Sequence, residues 1–186
     1  MALPLISRLA TLASLGALLA GCCANNVCDC PNEAEADAIR IVFGQKFLAT
    51  DLDTLLLVRY LRPDLKNPAA VLPKPEAVTL PRTAAQLAAN EALLINNTAP
   101  FGQFGSARLD TFRYVVRYYP NGTRKASQVA LFIDQIKLGG SFEGNGCCTC
   151  YTNSRKIALT RLAADSLKAV TYTDLRQVQA LIVTKP

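Results

Sequence analysis

The sequence predicts an all-β protein whose domain, residues 39–186, is a single antiparallel β-sandwich. Short segments rich in β-branched and aromatic residues follow one another from residue 39 onward, with Gly, Pro, Asn and Asp between them. We count roughly seven or eight such segments, and they do not alternate with the long helical patterns typical of a parallel α/β sheet. The chain has 186 residues, which is enough for one domain with a hydrophobic core.

The first part of this domain contains one clear strand and two less regular segments. TLLLVRYL, at Thr54–Leu61, is a short, mostly apolar run typical of a strand. Residues 62–81 carry five prolines, so we expect a loop or the edge of a sheet there, because proline cannot donate a ladder hydrogen bond. Residues 83–94 are ambiguous. The alanines of TAAQLAANEALL favour a short helix, whereas EALLIN favours a strand.

The pattern between Phe112 and Leu138 predicts an antiparallel hairpin. The first strand alternates, with four large side chains on one face: Phe112, Tyr114, Val116 and Tyr118. Asn121-Gly122 predicts the turn. The returning strand has two sets of apolar residues of opposite phase: Val129, Leu131 and Ile133, then Ile136 and Leu138. This change of phase predicts a β-bulge near Asp134-Gln135. KIALTRL, LKAVTY and VQALIVTKP complete the set of predicted strands.

The segment before the domain has a different character. Residues 1–21 contain no acidic residue and one arginine, Arg8, followed by the apolar run LATLASLGALLA. A membrane-spanning helix needs about 20 apolar residues, and this run is shorter. A positive charge, a short apolar run and small residues together predict an export signal peptide over residues 1–21. The alternative is a buried N-terminal helix, which an apolar character on all sides disfavours.

The end of this signal carries a more specific motif. Leu19-Ala20-Gly21-Cys22 resembles the lipobox of bacterial lipoproteins. The resemblance implies cleavage before Cys22, a diacylglycerol on its thiol and an acyl chain, such as palmitate, on its new amino group. More than one acyl chain anchors a protein stably. Residues 22–38 would then form a lipidated tether, and the protein would be held on a membrane of the bacterial cell envelope, with inner or outer membrane left open.

The composition excludes several kinds of chemistry. The chain has no histidine, so it offers no Ser-His or Cys-His nucleophile pair and no histidine metal ligand. It also lacks a phosphate-binding glycine loop in its usual strand–loop–helix setting. The net charge is +6, but the basic residues are scattered along the strands and indicate a solvated surface. We therefore expect no enzymatic activity, no cofactor and no nucleic-acid partner.

Two pairs of carboxylates are candidate site residues. Asp51 and Asp53 are a partial set of calcium ligands or, more commonly, a polar turn. Asp134 and Glu143 are either paired acids of a glycosidase or surface charges, and the sequence does not bring them together.

Two tripeptides also resemble the O-glycosylation acceptor of some exported bacterial proteins: Asp53-Thr54-Leu55 and Asp165-Ser166-Leu167.

The cysteines lie at the start of the chain and in one late loop. With Cys22 assigned to the lipid, six remain, in a tether cluster of Cys23, Cys28 and Cys30 and a loop cluster of Cys147, Cys148 and Cys150. Because exported proteins form disulfides, we predict at least two bridges between the two clusters. The alternative is a copper or zinc thiolate site, since CDC and CCTC resemble thiolate-rich metal-binding segments.

The sequence therefore predicts a membrane-anchored envelope lipoprotein. Its domain resembles Ig-like or transthyretin-like sandwiches, a resemblance that does not select one function. We expect a non-enzymatic binding or structural module, with a protein or glycan ligand and a tether stapled to the domain by disulfides. The alternative is a thiol-rich protein that binds copper or zinc or takes part in redox chemistry.

Overall fold

The computed structural model describes residue 30 and residues 36–63, 73–103, 105–145, 148–163 and 170–186. These residues contain nine strands: β1 Ile39–Phe43, β2 Thr54–Leu61, β3 Glu76–Pro81, β4 Leu93–Ile95, β5 Phe112–Tyr118, β6 Gln128–Asn145, β7 Cys148–Leu162, β8 Thr171–Asp174 and β9 Leu181–Val183. They also contain two short α-helices and two 3₁₀ turns: α1 Ala49–Leu52, α2 Ala84–Ala88, Leu109–Thr111 and Pro120–Gly122.

The chain divides into two compact units. The first, which we call the cysteine unit, contains Cys30 and the described part of Ser141–Thr152. The second, the sandwich unit, contains the remaining described residues. The predicted boundaries of signal, tether and domain stay predictions.

The strands form two sheets that pack face to face, which confirms the predicted all-β sandwich. One sheet has three strands in the order β4-β1-β9, and the other has six in the order β3-β2-β5-β6-β7-β8. The described pairings are antiparallel with one exception, because β9 runs parallel to β1 with Leu181 opposite Ile41. Parallel neighbours need a long connection, and here the six-stranded sheet lies between them in sequence. An Ig-like strand arrangement stays a prediction.

The described residues between Thr54 and Ile95 form the elements that the sequence predicts for them. Thr54–Leu61 is strand β2, and the proline-rich segment ends in β3 at the edge of its sheet. The ambiguous segment contains both predicted elements, helix α2 and strand β4. Helix α2 begins with a capping box, since the Gln86 N–H donates to the Thr83 hydroxyl and the Thr83 N–H donates to the Gln86 side chain.

The predicted hairpin is present, with a longer connection than a two-residue turn. Strand β5 pairs antiparallel with β6, and Tyr118 lies opposite Gln128. Asn121 and Gly122, the predicted turn residues, have positive φ angles of 55° and 66°. They sit in the 3₁₀ turn at Pro120–Gly122, and residues 123–127 complete the return.

Two irregularities decide which side chains of β6 face the core, and the sequence predicted one of them. At the predicted bulge Gln135 has φ 46° and its N–H donates to the Asp134 carboxylate, so Ile133 and Ile136 are both buried. A second register shift lies opposite Val116 and Arg117. It turns Ala130 rather than Val129 into the core, which corrects the predicted phase at that residue. The physical reason is that an extra residue in one strand reverses its alternation.

The core lies between the inner faces of the two sheets. The three-stranded sheet contributes Ile39, Ile41, Phe43, Ile95, Leu181 and Val183. The six-stranded sheet contributes Leu55, Leu57, Phe112, Tyr114, Val116, Tyr118, Leu131, Ile133 and Ala158, among others. Phe47 stacks edge-to-face on both Phe43 and Tyr118, which closes one part of this core.

Candidate functional site

The cysteine unit contains a disulfide between the two predicted clusters. Cys30 and Cys150 are bonded, with Cα atoms 5.3 Å apart and 120 residues between them in sequence. Cys148 is also disulfide-bonded. Cys22, Cys23, Cys28 and Cys147 lie outside the described residues. One bridge of the predicted kind is therefore present, and the second stays a prediction.

This pairing weighs against a metal site at the same sulfurs. A cysteine binds copper or zinc as a thiolate, and a disulfide sulfur is not a thiolate. In the described ranges no group of three or more Cys, Asp or Glu side chains has an arrangement suited to a metal ion.

Asp51, one of the two aspartates considered for calcium, is held by the protein itself. Its side chain is 0% exposed and accepts N–H donors from Leu48 and Asn121, each at 2.8 Å. The Lys185 ammonium lies 2.7 Å from the same carboxylate and supplies the positive charge. Burial alone would raise the pKa of Asp51, but the hydrogen bonds from Lys185, Asn121 and Leu48 outweigh it, so the pKa lies below its ordinary value. Asp51 therefore connects α1, the 3₁₀ turn at Pro120–Gly122 and the C-terminal segment.

Three other candidate residues, Asp134, Glu143 and Thr54, are also engaged by the fold, whereas the Oδ1 atom of Asp53 is buried without a hydrogen-bond partner among the described residues. Asp134 pairs with Arg62 at 3.4 Å, and Glu143 accepts a hydrogen bond from Ser141. Thr54, in the first glycosylation-like tripeptide, is 1% exposed, and its hydroxyl accepts a hydrogen bond from Arg124. Because a glycan acceptor must be accessible, the burial of Thr54 weighs against modification of this tripeptide in the folded protein. The second tripeptide lies outside the described residues.

The sandwich unit has a groove on its six-stranded sheet that the sequence reading missed. Its volume is about 380 Å³, which falls within the range of about 300–1,000 Å³ for small-ligand sites. Val115 and Phe132, directly opposite each other on β5 and β6, form its floor with Leu159 of β7. Its lining is mostly apolar.

Polar and aromatic side chains surround this floor. Tyr60 and Arg113 face each other across β2 and β5, and both are exposed. On the β7 side, Arg161 lies with its guanidinium carbon 4.5 Å from the centre of the Phe132 ring. Asp134 also lines the groove, where Arg62 offsets its charge.

The arginines of the groove have free donors. In the part of the chain that the structure describes, Arg113 has no hydrogen-bond or ion-pair partner, and Arg161 contacts the Phe132 ring but no carboxylate. Each guanidinium carries five N–H donors in a planar fork that matches a carboxylate. Another arginine of the same sheet, Arg59, is buried and has hydrogen-bond partners within the protein.

That buried arginine, Arg59, has a structural role. It is 4% exposed, and its guanidinium carbon lies over the rings of Phe101 and Phe112, 4.6 and 4.4 Å from their centres. Its guanidinium donates to Glu76 and to the Gly102 carbonyl. The sequence pattern indicated that Arg59 is buried, because Arg59 lies on the same face of β2 as the buried residues Leu55 and Leu57.

A signal for the groove was also present in the sequence. Val58 and Val115 are apolar residues in the phase that faces away from the core, and they pair directly across β2 and β5. An outward apolar stripe on an antiparallel sheet indicates a covered or binding face. Assigning that face to a groove required the position of Phe132, and therefore the register of β6.

No family model, curated protein or solved structure matches this chain. Among the helices that the structure describes, none combines the length and apolar character needed to cross a bilayer.

Proposed function

We propose that this protein is a lipid-anchored module of the bacterial cell envelope that binds a protein or glycan ligand through the groove on its six-stranded sheet, without enzymatic activity. The groove carries this proposal, because it joins an apolar floor to arginines with free donors. Binding sites commonly combine such a floor with a few convergent polar groups.

Two further observations support the location. The Cys30–Cys150 bridge fits an oxidising, exported compartment. Leu19-Ala20-Gly21-Cys22 has the form of a lipobox, which would place the acyl chains on Cys22. A disulfide at Cys30, eight residues beyond that anchor, would keep the free part of the tether short.

The alternative of a thiol-rich metal or redox protein is less well supported. It needs several thiolates at once, whereas Cys30, Cys148 and Cys150 are already in disulfides. Alkylation of the unreduced protein, followed by mass measurement, separates the two proposals. The binding module predicts blocked cysteines, and the metal protein predicts free thiols with stoichiometric copper or zinc.

Photo-crosslinking in the native cell tests the groove. A photoreactive phenylalanine analogue in place of Tyr60, at the rim, should form a covalent adduct with the ligand. The same analogue in place of Ile182, which is exposed on the three-stranded sheet, is the matched control. Adducts at neither position, or equally at both, contradict the proposed site.

The anchor is tested separately. The variant Cys22→Ala should remain unlipidated, with its signal uncut or cut elsewhere. Detergent-phase partitioning and intact mass measure this directly. Normal acylation and processing in that variant would refute the anchor assignment.

A further inference from the structure

We infer that the groove recognises an acidic peptide segment of a partner protein, with one apolar side chain on the floor and carboxylates on Arg113 and Arg161. This inference rests on the proposed function and names the ligand class of the same site.

The charges of the groove indicate an anionic ligand. Three arginines, Arg62, Arg113 and Arg161, lie in or beside it, against one aspartate, Asp134. Arg62 is paired with Asp134, whereas the N–H donors of Arg113 and Arg161 are available to a ligand. Because they stand on β5 and β7, on either side of β6, a ligand across the floor meets a guanidinium at each side. Charge complementarity of this kind steers binding and sets orientation.

The floor favours a peptide over a glycan. Val115 and Leu159 are aliphatic, and the ring of Phe132 is covered by Arg161. Saccharide hydroxyls pressed against such a surface would lose water without gaining hydrogen-bond partners, which costs free energy. A leucine-like side chain has no such groups and gains from burial. Tyrosine and arginine at the rim are also the residue types enriched at the centres of protein interfaces.

The position in the sheet limits how the peptide binds. The strands beneath the groove are β5, β6 and β7, which are inner strands of the six-stranded sheet, whereas the outer strands are β3 and β8. A peptide over these inner strands lies on the face of the sheet, where side chains and not a strand edge recognise it. This mode makes affinity depend on the two arginines and on one apolar anchor.

Titration calorimetry on the purified chain with blocked hexapeptides tests the inference. The probe has a central leucine flanked by two aspartates, and two matched peptides replace the aspartates by asparagine or the leucine by alanine. We expect the probe to bind, and both replacements to weaken binding about tenfold or more. Binding should also weaken as salt is raised, because the charges are exposed.

Protein variants locate the contact. Arg113→Gln and Arg161→Gln should each weaken the probe about tenfold, since each removes a charged hydrogen bond. Arg155→Gln, which removes an exposed arginine of β7 outside the groove, should leave the affinity unchanged. Both groove arginines are exposed, so circular dichroism should show folded variants.

Four outcomes overturn the inference. Equal binding of the asparagine peptide refutes the role of charge, and equal loss in Arg155→Gln refutes the location. Binding of trigalacturonate, an acidic saccharide, in place of the peptide would make the ligand a glycan and leave the proposed function standing. If neither probe binds, the peptide inference fails. The crosslinking at Tyr60 then decides whether the groove fails with it.

Discussion

Replacing Asp51 by asparagine tests whether a buried carboxylate holds three parts of the sandwich unit together. The side chain of Asp51 is fully buried and accepts from two backbone N–H groups and from Lys185. Asparagine is close in shape but has no charge, and its amide has one accepting oxygen instead of two. If that oxygen takes the place of Oδ1, the amide NH₂ group faces the donors of Leu48 and Lys185.

The magnitude follows from these contacts. A hydrogen bond to a charged group contributes about 1.5–3 kcal/mol, and breaking a buried ion pair costs about 3–5 kcal/mol. Lys185 is partly exposed, with 25% of its side chain accessible, so water offsets part of its loss. We expect Asp51→Asn to lower the free energy of unfolding by about 3 kcal/mol. With a urea m-value of about 2 kcal/mol/M, the midpoint would fall by roughly 1.5 M.

Equilibrium urea unfolding, followed by circular dichroism, measures this shift. Asp174→Asn is the matched control, because Asp174 pairs with Arg176 at an accessible site and its loss should leave the midpoint nearly unchanged. A midpoint for Asp51→Asn within about 0.3 M of wild type would refute the reasoning.

The same residue predicts a dependence on pH. The pKa of Asp51 is lower in the folded protein than its ordinary value of 3.8. A depressed folded pKa stabilises the protein above the unfolded value, and this stability is lost as pH falls through the folded pKa. The difference in stability between wild type and Asp51→Asn should therefore be constant near neutrality and shrink below about pH 4. A difference that stays constant down to pH 2 would contradict this origin.

Three further changes test other parts of the structure. Gly122→Val should destabilise the protein by about 2 kcal/mol, because φ is +66° and the new Cβ would lie 3.3 Å from a backbone carbonyl of α1; thermal unfolding measures this, with Gly144→Val as the unhindered control. Cys30→Ser should make Cys150 available to alkylation in the unreduced protein, and peptide mapping that still finds Cys150 blocked would count against their pairing. Arg59→Lys should lower stability by about 1–2 kcal/mol in urea unfolding, because an ammonium has no planar group to lie over the Phe101 and Phe112 rings; an unchanged midpoint would contradict that role.

Local patterns predicted much of the fold. The alternation from Phe112 to Tyr118 places its four large side chains in the core, and Thr54–Leu61 is a strand throughout. These predictions held because burying one face of a strand requires a period of two, which is visible in any stretch of sequence. The change of phase at Asp134-Gln135 was readable for the same reason.

Other features depended on partners distant in sequence. The register shift at Ala130 follows from how β6 pairs with β5, and nothing in QVALFI marks it. Asp51 looked like part of a polar turn because its partner Lys185 lies 134 residues away. Arg113 and Arg161 line the same groove only because β5, β6 and β7 are neighbours in one sheet.

The sequence by itself determined that the domain is a β-sandwich, and it predicted a disulfide between the two cysteine clusters. Both conclusions rest on patterns that are local or compositional: strand periodicity, and two clusters of cysteines in a sequence whose first residues predict export. The tertiary structure alone decided the pairing of Cys30 with Cys150, the parallel contact of β9 with β1, the buried role of Asp51 and the groove beside Arg113 and Arg161. Each of these joins residues far apart in the chain, and their proximity arises only when the two sheets pack and bury their inner faces together.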